Sequence, residues 1–241
     1  MKFGQRLAAL PIALLAASVA WPAHSLQFPR TSDRGAPPRS AGAGTRGESC
    51  IDVAEQPNLT ALLPNNSLAT TYAADDTLPS SLFFYIPETA ATQAELVVVD
   101  SVGEEVYTKT MTLPDETGIV QVTIPDGAEL FTAGELYYWD FSIICDIEDP
   151  EDNVLVGGGI QRADADENLL SNLESADGDL LVQAEIYAAA GAWQESLALA
   201  AQMRDTDTAP WEEILTSVGL EAVIDAPILS MDTEHAAADC N

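Results

Sequence analysis

The hydrophobic positions of this chain change period near Arg162. Before it, apolar residues come in short runs or alternate with polar ones; after it they recur every three to four residues. Leu82-Phe83-Phe84-Tyr85-Ile86 is framed by Pro79 and Pro87, Leu96-Val97-Val98-Val99 is continuously apolar, and Ile119 to Ile124 alternates up to Pro125. Such segments predict strands. The strongest alternation runs from Tyr137 to Cys145. There Tyr137, Trp139, Phe141, Ile143 and Cys145 share one face while Tyr138, Asp140, Ser142 and Ile144 share the other, because side chains alternate along a strand. Short strands separated by Pro, Gly and Asp turns, with no helices between them, predict an antiparallel β-sandwich over 49–162, immunoglobulin-like in general architecture.

The second period predicts a small helical bundle over 163–224. A first helix spans Asp164 to Glu174 with Leu169, Leu170 and Leu173 on one side. Asp177 or Asp179 caps a second, in which Leu180, Ala184 and Tyr187 form a stripe until Gly191 ends it. A third runs from Trp193 to Arg204, placing Trp193, Leu197 and Ala200 together and a cation at its negative end. A fourth starts at Thr208 with Pro210 in its first turn, Glu212 and Glu213 near the positive end, and Ile214 and Leu215 following. Ala184, Tyr187, Gly191 and Leu197 have the spacing of a tetratricopeptide-like hairpin. One such unit makes no solenoid, which needs about three repeats, so the pattern is read as packing.

The ends differ from this folded part. Lys2 and Arg6 precede an apolar run from Leu7 to Val19, and Ala23 and Ser25 are small residues at the minus-three and minus-one positions of a cleavage site. Residues 1–25 are therefore read as a signal peptide, and the product as periplasmic or secreted. Residues 26–48 carry Arg30, Arg34, Arg39 and Arg46 among prolines and glycines and read as a flexible linker. Residues 225–241, rich in Ala and Asp, read as a disordered tail.

Charge then narrows the function. Of 39 carboxylates only Asp33 and Glu48 precede Cys50, leaving 37 from Cys50 onward against three cations: Lys109, Arg162 and Arg204. Such a surface is repelled by nucleic-acid phosphate and by anionic membrane surfaces. The two histidines, His24 and His235, lie in the leader and the tail, so the folded part has no imidazole for a catalytic triad or a histidine-ligated metal. Gly157-Gly158-Gly159 is followed by Ile160 and Gln161 rather than the Lys-Ser/Thr of a phosphate-binding loop, and marks a bulge or a close backbone approach. Carboxylates are the reactive groups that remain. Asp146, Glu148, Asp149, Glu151 and Asp152 crowd one turn and are candidate calcium ligands, although Pro150 at the fifth position and the lack of glycine at the sixth break the EF-hand pattern.

Three cysteines are present. In an exported chain Cys50 and Cys145 are the expected disulfide, which leaves Cys240 unpaired beside Asp239.

Several short stretches occur in one order: Arg46-Gly47-Glu48-Ser49-Cys50, Leu62-Leu63-Pro64, Leu78-Pro79 leading into Phe83-Phe84-Tyr85-Ile86-Pro87, Gly134 to Trp139, Cys145, Gly157 to Arg162, and Tyr187 to Trp193. Together they resemble the exported, mostly cyanobacterial proteins of the domain of unknown function family 928, over about Arg46 to Arg204. The resemblance supports the Cys50 to Cys145 pairing and the joining of strands to a helical end. It carries over no catalytic residue.

The sequence thus reads as an α+β chain, a β-sandwich followed by a helical bundle. Its expected role is that of a non-catalytic extracytoplasmic interaction or adaptor module with a protein partner and no cofactor. The alternatives are a calcium- or carbohydrate-binding protein using the acidic turn 146–152, and a carboxylate-based hydrolase.

Overall fold

The computed structural model describes residues 25–29, 50–51, 57–64, 68–72, 80–125 and 130–230. The leader up to His24, the four linker arginines, His235 and Cys240 lie outside the described residues. In chain order the strands are β1 (Thr60–Ala61), β2 (Leu68–Tyr72), β3 (Ser81–Ile86), β4 (Gln93–Val99), β5 (Glu105–Thr112), β6 (Gly118–Thr123), β7 (Leu136–Ile143) and β8 (Val154–Ala163). Four helices follow, α1 (Glu167–Ser175), α2 (Leu180–Ala190), α3 (Trp193–Met203) and α4 (Ala209–Ser217), and β9 (Ile228–Leu229) comes last. The fold class is α+β.

Two sheets result, one ordered β1-β3-β6-β9 and the other β2-β8-β7-β4-β5. Both are mixed rather than antiparallel throughout. β2 runs parallel to β8 and β9 parallel to β6, because in each case the connection returns through other elements instead of a hairpin. The sheets meet through aromatic side chains: Phe84 of β3 stacks on Phe141 at 4.0 Å and meets Trp139 edge-on at 5.5 Å, both on β7. The predicted alternation in β7 holds, with Tyr137, Trp139, Phe141 and Ile143 buried and Tyr138 and Asp140 exposed. Cys145, expected on the same strand, lies two residues past its end. All six residues of β3 are buried because both of its faces are covered. Phe84 turns toward β7, and Phe83 toward Trp211 of α4 at 6.4 Å.

The glycine run belongs to β8, in full register with β7, rather than to a bulge. It does mark a close approach: a Cβ on Gly157 would sit 3.1 Å from the Trp139 carbonyl oxygen and against the Asp140 carboxylate. Only glycine fits there without displacing the neighbouring strand.

The helices start and stop where capping chemistry directs. Asp166 accepts from the Leu169 amide at 2.8 Å, Asp179 accepts from Leu181 and Val182, and Gly191 ends α2 at φ 81°, a left-handed conformation that costs a side-chain-bearing residue. Two stripe positions come out differently from the sequence reading. Leu170 and Leu180 are exposed, because the core is reached from Leu169 and Ala184 on the neighbouring helix faces. α3 is the central helix. Trp193, Leu197 and Ala200 are buried, the Trp193 indole donates to the Leu62 carbonyl at 2.7 Å, and Thr71 of β2 donates to Glu195 at 2.5 Å. One continuous hydrophobic core therefore runs from the sheets into the helices.

Two segments read as disordered from the sequence contribute to that core. Leu26–Pro29, assigned to the linker, buries Leu26 and Phe28, and Ile228–Leu229, assigned to the tail, forms β9. Among the described residues no helix is long and apolar enough to cross a membrane.

Candidate functional site

The turn that carries the five candidate calcium ligands follows β7 and includes one turn of 3-10 helix, Pro150–Asp152. Asp146, Glu148, Asp149 and Glu151 are exposed and Asp152 is half-buried. Asp146 accepts from the Glu148 amide at 2.8 Å and Asp149 from the Glu151 amide at 3.2 Å, so one oxygen of each shapes the turn. Asn153 accepts from the Cys145 amide at 3.0 Å and ties the turn to the end of β7. Among the described residues no three His, Cys, Asp or Glu side chains gather into a metal-holding group. The structure brings these carboxylates into one turn without converging them on a point.

The other predicted pair is joined. Cys50 and Cys145 form a disulfide with their Cα atoms 5.2 Å apart. It links the segment before β1 to the end of β7, and Cys50 is fastened further where its carbonyl accepts from the Thr89 hydroxyl at 3.1 Å. Disulfides persist in oxidising compartments, so this bond fits an extracytoplasmic location.

A different place has the shape of a site. A cavity of about 870 Å³ opens on the helical end between Ser25–Pro29, α2 and α4. Its charged lining is uniformly acidic: Glu185 of α2, and Glu212 and Glu213 of α4. A second cavity of about 400 Å³ lies on the other side of Glu185 and Ala189 and adds Asp166 from the start of α1. No lysine, arginine or histidine lines either one among the described residues. Glu212 accepts from the Thr208 hydroxyl at 2.8 Å, and Glu213 from the Leu26 amide at 2.7 Å. The two folded-part arginines are occupied elsewhere: Arg162 donates to the Phe131 carbonyl at 3.1 Å, and Arg204 donates to the Ile224 carbonyl at 3.0 Å while covering the Trp211 ring. Negative charge in a concave, partly desolvated site attracts cations more strongly than the same charge spread on an open surface.

Nothing in the sequence reading singled out this cleft. Glu212 and Glu213 look like ordinary acids at a helix start, and Glu185 like a solvated helix position. The one available signal was the alternation in Ser25-Leu26-Gln27-Phe28-Pro29, which the composition of the following linker obscured.

Residues 41–228 match the family model described as Domain of Unknown Function (DUF928), and the chain belongs to that family. No curated protein matches the chain.

Proposed function

We propose that this member of the DUF928 family is an exported, non-catalytic interaction module whose helical end receives a cationic segment of a protein partner. The observation that carries the reading is the acid-lined cleft of about 870 Å³ beside Ser25–Pro29. Its size suits a few residues of extended peptide, and its charge selects lysine and arginine over acidic sequences. The basic, apolar and small-residue order of the first 25 residues supports export, as does the disulfide. Without an imidazole in the folded part, histidine-activated nucleophiles and histidine-based acid–base catalysis lack their base.

The two sheets are read as a sandwich of immunoglobulin-like general architecture. Support comes from the strand order, from Phe84 facing Trp139 and Phe141, and from the Tyr137 hydroxyl at the start of β7, which accepts from the Thr132 amide at 3.0 Å. A tyrosine at that corner bonding back to upstream backbone is a feature of such domains. The disulfide departs from antibody domains, where it joins two facing strands.

Calorimetry tests the interaction reading with short peptides of matched length, one set rich in Lys and Arg, one neutral and one acidic. Basic peptides should bind, lose affinity as salt is raised, and bind more weakly to Glu212→Gln. Equal binding of all three sets, or none, defeats it. A calcium- or carbohydrate-binding role remains the second reading, motivated by five carboxylates in one turn. Heat released on adding calcium that disappears in Asp149→Asn and Asp152→Asn would favour it over the cleft.

A further inference from the structure

Ser25–Pro29 enters the helical end as an extended segment whose side chains alternate. Leu26 and Phe28 are 0% and 4% exposed, while Ser25, Gln27 and Pro29 face solvent. The Phe28 ring meets Trp193 edge-on at 4.9 Å. Both inward residues are fixed by backbone donors to α4: the Leu26 amide to Glu213 Oε2 at 2.7 Å, and the Phe28 amide to Ser217 Oγ at 3.1 Å. Among the described residues of this segment, Leu26 is buried directly after exposed Ser25. The sequence independently places small residues, Ala23 and Ser25, at the minus-three and minus-one positions of a cleavage site at this same bond.

We infer that hydrolysis of the Ser25–Leu26 bond releases an amino terminus that Glu213 holds as an ion pair, locking the new first residues into the helical end. Water adds across the bond, the carboxylate departs on Ser25 with the leader, and Leu26 keeps the amine, which takes a proton at neutral pH. An ammonium fits this position better than the amide it replaces. The acids of the cleft lining are Glu213 and Glu212 of α4 and Glu185 of α2, and no lysine, arginine or histidine stands among the described lining residues. A charge-assisted hydrogen bond is about twice as strong as a neutral one, so the carboxylate at 2.7 Å gains from the change. The captured segment forms one wall of the cleft, so processing fastens a wall of the site to which the proposed partner binds. The inference rests on the export reading.

Two preparations test it: a chain beginning at Leu26 and ending at Asn241, and the same chain keeping Ala23-His24-Ser25 ahead of it. Ser25 is exposed, and matching far-ultraviolet circular dichroism establishes that both preparations fold before they are compared. The chain beginning at Leu26 should melt about 2 to 4 °C higher at neutral pH, the shift expected for a protein of this size from one partly buried ion pair. Glu213→Gln retains an acceptor for the amide and should erase that difference. Equal melting temperatures, or a difference that survives Glu213→Gln, overturn the capture. Separately, the intact mass of exported protein should correspond to a chain starting at Leu26. A different start overturns the assigned bond. A leader-bearing chain retained in the cell overturns export, and the purified pair still decides whether Glu213 holds the terminus.

Discussion

Replacing Gln194 with methionine is expected to stabilise the protein. Gln194 is the second residue of α3 and is 2% exposed, yet among the described residues neither its Oε1 nor its Nε2 has a hydrogen-bond partner. The indole Nε1 of Trp139 is likewise without a partner among the described residues, and Trp139 borders the same narrow interior space, together with Leu62, Phe84 and Trp193. That space has no room for a water molecule, so solvent does not satisfy the amide. A buried amide left unpaired costs about 1–3 kcal/mol in proteins. Methionine has nearly the same length and helix propensity, and a volume-conserving exchange in a core costs less than about 1.5 kcal/mol. Taking the middle of each range, the net gain is about 1 kcal/mol, which corresponds to about 2–4 °C in melting temperature. Urea unfolding should move to a higher midpoint with an unchanged slope, the sign that native stability alone has changed. A midpoint lower than that of the parent would refute the reasoning, since it would mean that the amide is bonded in solution.

Other outcomes follow from the same geometry. Reducing Cys50–Cys145 reopens a loop of sequence separation 95, which lowers stability by about 4–5 kcal/mol in the chain-entropy account. Calorimetry with and without reductant should show a drop of roughly 8–20 °C, and no drop would defeat that estimate. Gly157→Ala pushes a methyl group against the Trp139 carbonyl and the Asp140 side chain, and should lower the urea midpoint by an amount worth about 1–3 kcal/mol. Burial raises the phenols of Tyr85 and Tyr107 above 10.0. Their neutral forms therefore support the fold fully below pH 10.0, and that support is lost as pH rises through the raised folded values. Tyr85→Phe should flatten the alkaline side of a melting temperature against pH profile; a profile superimposable on the parent would exclude Tyr85 from it.

What was legible in the sequence was whatever a single segment decides by itself. The alternation from Tyr137 to Ile143 and the run Leu82 to Ile86 each reveal a strand, because burial on one or both faces leaves its mark on consecutive residues. Asp179, one of two candidate caps, and Gly191 marked the ends of α2, because caps are local, whereas the first helix, read from Asp164, starts at Glu167 behind the Asp166 cap. Pairings made with distant partners left no such mark. β5 is an edge strand with few apolar positions, β9 is two residues long, and the parallel pairing of β2 with β8 depends on residues about ninety positions apart. The glycines of β8 looked like an interruption when read alone. They sit in a regular strand because β7 presses its backbone and Asp140 against them. The cleft was hidden for the same reason: Leu26, Glu185 and Glu213 become neighbours only once α2 and α4 have packed.

The return of the chain to β6 after the helices has a consequence for assembly. Ile228 and Leu229 pair with Ile119 and Val120, and the Pro227 carbonyl accepts from the Ile119 amide at 2.7 Å, so the last described strand occupies what would otherwise be an open sheet margin. An uncovered margin of that kind, with Ile119, Val120 and Val122 behind it, is a template for another chain to add a strand. A chain that ended at Ala226, keeping buried Val223 and the Ile224 carbonyl to which Arg204 and Trp211 donate, would therefore do more than shorten the protein. It would convert a closed border into a sticky one, and the first symptom would be self-association rather than unfolding.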